Sequence, residues 1–166
     1  MKRLCAFLVL CLGGVLLSCA PANLIYGTNY DYDIEVDFSK LKSYDWLPLS
    51  ITNKIDPLNA KRFKAAIDEN LKARGLIETK DNPDFLIQAK TASLRQMDTT
   101  SGPSDYGIYR EGRLVLVFLN PQSNETLWSG ETRLRVGPEL TPAEKDKLVY
   151  DGVVSVLNNF PPPPSP

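Results

Sequence analysis

Arg113-Leu114-Val115-Leu116-Val117-Phe118-Leu119 marks the centre of a β-sheet. After the arginine both alternating sets of residues are apolar, the pattern of a central strand covered on both faces. The chain then turns through Asn120 to Asn124 and returns from Thr126 to Val136, where Trp128, Leu134 and Val136 share one side of a second strand. Upstream, Phe85, Ile87 and Ala89 alternate with Leu86, Gln88 and Lys90, which reads as a third. Residues 96–111 hold no long apolar run and read as an irregular loop, longer than two neighbouring strands need.

Two helices flank these strands. Asp56-Pro57 offers an N-cap and a first-turn proline, and Ala60, Phe63, Ile67 and Leu71 follow at helical spacing up to a C-capping Gly75. Thr141-Pro142-Ala143-Glu144 is a capping box, and Val149, Val153, Val156, Leu157 and Phe160 form the buried stripe behind it. Nearer the N-terminus, Tyr30, Tyr32, Ile34, Val36 and Phe38 alternate with Asp31, Asp33, Glu35 and Asp37, predicting a half-buried strand over 30–38. A shorter strand, Ser43 to Leu47, stops at Pro48. The order is strand-strand-helix-strand-strand-strand-helix. The expected class is α+β: a two-layer sandwich with a mostly antiparallel sheet of about four or five strands and two helices packed on one face.

The first residues announce an address. Met1-Lys2-Arg3 leads into an apolar and small-residue run from Leu4 to Leu17, too short to span a bilayer and followed by Ser18-Cys19. Leu16-Leu17-Ser18-Cys19 resembles the bacterial lipobox. The resemblance implies a signal peptide over 1–18, with Cys19 carrying lipid on its sulfur and a fatty acyl chain such as palmitate on the new amino terminus. Several acyl chains hold a protein to a bilayer without ready release. Residues 19–29 read as the lipidated terminus and a tether, 30–160 as one domain, and 161–166 as a proline-rich tail. Ala20 after the cysteine favours, by analogy, the outer membrane with the domain facing the periplasm. Cys5 and Cys11 leave with the signal, so Cys19 is the one cysteine of the mature chain.

Composition narrows the chemistry. The chain has 19 basic, 20 acidic and 0 histidine residues. Without histidine it lacks the commonest general base and the commonest metal ligand. No basic, aromatic-interleaved stretch suits nucleic acid. Asp31, Asp33, Glu35 and Asp37 could suggest calcium, but alternate strand residues stand nearly 7 Å apart, and an ion needs six to eight oxygens within about 2.6 Å. They read instead as a solvated face that discourages edge pairing. Trp46 and Trp128 could stack on a sugar or a peptidoglycan stem; each sits among apolar neighbours, and both are read as core. The proline tail reads as a stiff spacer rather than a peptide ligand. No catalytic residue, metal or cofactor is assigned. The candidate partner-binding surface is the 96–111 loop, with Met97, Tyr106, Tyr109 and Arg110, residue types favoured in protein contacts.

An ordered set of short pieces resembles one family. They are Tyr32-Asp33 leading to Asp37-Phe38-Ser39, Tyr44-Asp45-Trp46-Leu47-Pro48, Asp84-Phe85-Leu86-Ile87, Leu127-Trp128-Ser129-Gly130 and Phe160-Pro161-Pro162. In this order the chain is similar to the bacterial lipoproteins grouped as domain of unknown function 4136, over roughly residues 24–162. The resemblance implies an α/β envelope lipoprotein and brings no catalytic residue with it. The expectation is a non-enzymatic, lipid-anchored module that binds or scaffolds an unknown envelope protein. The alternatives are a small-ligand or envelope-polymer binding module and, third, a hydrolase without histidine.

Overall fold

A computed structural model describes residues 25–47, 56–97, 108–136 and 140–163. The strands are β1 (Ile25–Tyr32), β2 (Ser43–Trp46), β3 (Ile77–Glu78), β4 (Phe85–Met97), β5 (Ile108–Leu119) and β6 (Thr126–Val136); the helices are α1 (Pro57–Ala73) and α2 (Pro142–Leu157). One sheet of six strands has the order β1-β6-β5-β4-β2-β3. Pairing is antiparallel from β1 through β6 and β5 to β4, then parallel from β4 to β2 and from β2 to β3. The two-layer α+β class therefore holds, while the sheet is mixed and larger than expected. The difference has a physical cause. A helix between β2 and β3 carries the chain back to the start of the sheet, so these neighbours must run parallel. β3 itself is two residues long, too short to show a period.

Each helix begins as its sequence directs. The Asp56 carboxylate accepts from the backbone N–H groups of Leu58 and Asn59. Both halves of the Thr141–Glu144 capping box are formed, and Gly75 takes a left-handed φ of +83° behind α1. The buried stripes are Ala66, Ile67 and Leu71 on α1, with Leu148, Val149, Val153, Val156 and Leu157 on α2.

β5 lies inside the sheet, as its sequence implies, but only one of its faces is closed. Leu114, Leu116 and Phe118 are fully buried under the helices, whereas Val115, Val117 and Leu119 on the other face are half-buried. Neighbouring side chains on the same sheet shade them, so a doubly apolar strand does not require a third layer.

The acidic alternation near the N-terminus is not one long strand. β1 ends at Tyr32 and begins at Ile25, within the stretch read as tether. The Asp33 carboxylate accepts from Glu35 N–H, and Asp37 caps a short 3-10 turn over Phe38–Lys40. These aspartates offer the backbone a local partner in place of a ladder. Ile34 is consequently 72% exposed, while Tyr32, Val36 and Phe38 still pack on the core. The loop expected over 96–111 is shorter as well. β4 and β5 pair as far as Met97 with Ile108, leaving 98–107 outside the described residues. At the other terminus Pro162 is buried, so the tail read from 161 stays on the domain through its first residues.

An aromatic cluster closes the end of the core where α2 finishes. Phe118 lies 4.8 Å from Phe85, 4.9 Å from Trp128 and 4.7 Å from Phe160, centroid to centroid. Trp128 is fully buried and its indole N–H donates to the Asn159 carbonyl at 3.1 Å. Its place in the core is as the sequence suggests.

Candidate functional site

β2 is short and ends in mid-sheet. Its alternation turns Tyr44 and Trp46 toward α1, which presents Ala60, Phe63, Lys64 and Asp68 on successive turns. Tyr44 is closed over, at 2% exposure, but Trp46 remains half-open. Where β2 stops, the helix and β4 leave a cleft of about 650 Å³. Trp46, Leu47, Ala60, Phe63, Ala89 and Thr91 supply most of its wall, with Asp45, Lys64, Glu78 and Lys80 at its polar margin. Drug-sized and cofactor-sized ligands occupy clefts of this range, mostly apolar with a few fixed polar groups.

One carboxylate organises the polar side. Asp68 accepts from the Tyr44 hydroxyl at 3.0 Å and from the Trp46 indole N–H at 2.9 Å through one oxygen. Its other oxygen accepts from Lys64 Nζ at 2.6 Å, one helical turn away. Lys64 also donates to Glu78 at 3.0 Å and lies 5.0 Å from the centroid of the Trp46 ring. Burial pushes the Tyr44 hydroxyl far above its ordinary pKa, with the negative charge and hydrogen bond of Asp68 adding to it. Burial pulls the Lys64 ammonium down, but the hydrogen bonds to Asp68 and Glu78 outweigh it and hold Lys64 above its usual value. Tyr44 therefore stays neutral and Lys64 stays charged. What the cleft offers is shape, an indole face and fixed charges.

A second, smaller hollow of about 380 Å³ lies between the helices, lined by Leu58, Ala65 and Tyr150 and bridged by the Arg62–Asp146 ion pair. Among the described residues no group of three or more carboxylates or thiols could hold a metal ion.

Of the candidate site residues singled out from sequence, only Tyr109 and Arg110 have their side chains among those described, and these two do not share a face. Tyr106 and Cys19 lie outside the described residues, and of Met97 only the backbone, at the end of β4, is described. Tyr109 and Arg110 belong to β5 rather than to a loop. Successive strand residues point to opposite faces, so the two diverge. Tyr109 is half-buried with the Arg135 guanidinium 4.3 Å above its ring. Arg110 is exposed on the helix side of the sheet, directly across from Arg95. Trp46, weighed from sequence as a sugar platform and read as core, is instead half-open here, and Phe63 and Ala60 of the predicted helical stripe line the cleft beside it. Lys64 and Asp68 are a visible i,i+4 pair, but nothing local joins them to Trp46.

Comparison with solved structures shows where the fold recurs. A PDZ domain protein from Parabacteroides distasonis superposes with a TM-score of 0.60 at 14% identity. The match covers 85% of this chain and 36% of that one, so this chain spans about a third of its length. The PelC dodecamer from Paraburkholderia phytofirmans gives a TM-score of 0.53 at 9% identity, over 81% of this chain and 95% of that one. A minor lipoprotein from Acinetobacter baumannii matches at 0.46 and 11% identity, over 72% and 91% of the two chains. At these identities the likeness to the first two is one of fold. No curated protein matches the sequence. Residues 28–162 match the family described as a domain of unknown function (DUF4136), and the chain belongs to that family.

Proposed function

We propose that the chain is a lipid-anchored binding module of the bacterial envelope, with no catalytic activity of its own. The anchor is Cys19, exposed by removal of residues 1–18 and carrying the acyl chains; the domain faces the periplasm from the outer membrane. Support for the anchor is the Leu16-Leu17-Ser18-Cys19 pattern behind a short apolar run. Support for binding is the cleft beside β2. Tyr44, Trp46, Lys64 and Glu78 are tied together through Asp68 and Lys64, and most of the remaining wall is ring and aliphatic. That arrangement recognises and holds; it does not activate. The partner is another envelope protein. A second reading, an envelope polymer or small ligand, rests on the half-open Trp46 ring, a platform for a sugar.

Two measurements test the proposal separately. Cys19→Ala should abolish acyl labelling and release from the membrane any chain that is still exported; continued acylation would refute the anchor. Trp46→Ala and Phe63→Ala should each lose the partner captured from cross-linked membranes while remaining folded. Undiminished capture would refute the cleft as the binding site. Capture that soluble peptidoglycan fragments compete away would favour the second reading.

A further inference from the structure

β4 is bonded unevenly along its two sides. On one side it pairs with β5 over twelve consecutive positions, from Leu86 with Leu119 to Met97 with Ile108. On the other side β2 covers only Phe85, Leu86 and Ile87. From Gln88 to Met97 that second side has no strand beside it among the described residues. The direction of its backbone groups follows from one bond. The Ile87 carbonyl accepts from Leu47 N–H at 3.0 Å, so Ile87 faces the β2 side. Strand residues alternate, and therefore Ala89, Thr91, Ser93 and Arg95 also turn their N–H and C=O groups to the open side. The cleft lies along the same edge, with Ala89 and Thr91 in its wall.

The other long edge is blunted. β1 carries a register shift between Tyr26 and Asn29, with Gly27 at a φ of +68°, and Asp31 near its end. Bulges and charges are the usual ways to spoil an edge as a template. The open part of β4 has neither a bulge nor an acidic side chain. It carries cations instead. Lys90 and Arg95 lie on the strand, Arg110 stands opposite Arg95, and Lys80 lies at the margin of the cleft. All four are exposed, and none of the four has a carboxylate partner among the described residues. Like charges directly opposite in a sheet cost stability, and an anion between Arg95 and Arg110 relieves that cost.

We infer that the open edge of β4 binds a partner protein through an extended, acidic segment, which adds as a strand beside Gln88–Met97. The inference rests on the reading of the chain as a binding module and gives its partner a chemistry. Main-chain hydrogen bonds supply the affinity of strand addition, and flanking pockets and charges supply the choice of sequence. The cations serve both ends of that choice. They attract carboxylates, and they repel a second copy of the same edge.

The test uses the full chain in detergent and labelled eight-residue peptides, so neither lipidation nor capture from membranes enters. Alternating Glu-Val should bind, and alternating Lys-Val should bind at least tenfold more weakly. Arg95→Gln and Arg110→Gln should each weaken Glu-Val by about threefold, the scale of an exposed charge pair. Ser93→Pro removes one outward N–H and leaves the β5 ladder intact; it should abolish binding with little change in melting temperature. Methylating two consecutive backbone nitrogens of the peptide does the same from the ligand's side, and needs no protein variant. Equal binding of both peptides, full binding of the methylated one, or no binding at millimolar peptide would overturn the inference. So would slow amide exchange at Thr91 and Ser93 in the free chain, because the chain itself would then occupy the edge. Failure of the Trp46 variants to lose their membrane partner would leave these results standing.

Discussion

Gly130 lies two residues beyond Trp128, on the same face of β6, and the indole folds back over it. A methyl group there would collide with the Trp128 ring and stand 2.6 Å from a methyl of Val156. Ordinary carbon contacts are 3.5–4.0 Å. Neither neighbour can yield easily. The indole is packed against Phe118 and Phe160 and held through its N–H to Asn159, and Val156 is fully buried on α2. Overpacking of this kind costs about 1–3 kcal/mol. Displacing the indole also strains a hydrogen bond worth about 1 kcal/mol. Alanine returns roughly 0.4–1 kcal/mol by restricting the unfolded chain. Gly130→Ala should therefore destabilise by about 2–3 kcal/mol, which for a domain of this size lowers the melting temperature by on the order of 5–10 °C. Urea denaturation followed by near-ultraviolet circular dichroism measures both the loss and the disturbance of the indole. A double-mutant cycle isolates the cause. Phe at 128 removes the ring atoms that collide, so Trp128→Phe with Gly130→Ala should be more stable than the sum of the single losses by about 1–2 kcal/mol. A Gly130→Ala protein within about 0.5 kcal/mol of the parent, or a cycle with no coupling, would refute this packing.

Asp68→Ala should cost about 2–3 kcal/mol in denaturation, since it strips the buried Tyr44 hydroxyl and the Trp46 indole of their acceptor; Asp68→Asn keeps an acceptor and should cost less. Asp84 accepts from Lys42 N–H, Ser43 N–H and the Ser43 hydroxyl, each at 2.8 Å. Partial burial raises its pKa, but these hydrogen bonds outweigh it and bring the carboxyl below its ordinary range. Its contribution is therefore complete above the pKa of an unfolded aspartate, near 4, and is lost as pH falls through the lower folded value. Asp84→Asn should lower stability at pH 7 by about 1 kcal/mol after allowance for exposure, and flatten the decline below about pH 4 in melts across pH.

The readable parts of this fold are those whose signals are local. The caps at Asp56 and Thr141, the left-handed Gly75, the apolar run of β5 and the burial of Trp128 all depend on a residue and its near neighbours. The misread parts turn on competition or on distance. Tyr30 to Phe38 keeps a perfect alternation, yet Asp33 and Asp37 satisfy the backbone themselves and end the strand at Tyr32. Residues 108–112 look irregular because their sheet end reaches past the helices, where a ladder needs no apolar side chains to persist. The parallel neighbours β2, β3 and β4 are separated by a whole helix. For the same reason the cleft could not be assembled from sequence, because Asp68 meets Tyr44 and Trp46 only once α1 lies over β2.

The chain enters the domain through β1, and β1 is an outermost strand antiparallel to β6. A load arriving through the residues before Ile25 along the strand direction acts parallel to the β1–β6 ladder. Such a pull loads the rungs together, in shear, rather than opening them one after another. The strand is also fastened across its width: Thr28 meets Ser155 of α2 at 2.8 Å, Tyr32 packs edge-on to Phe38, and Asp33 N–H donates to the Leu127 carbonyl at 3.0 Å. The entry strand is thus built as a mechanical clamp, and its failure force rather than its equilibrium stability sets how hard the domain can be held by its N-terminal end.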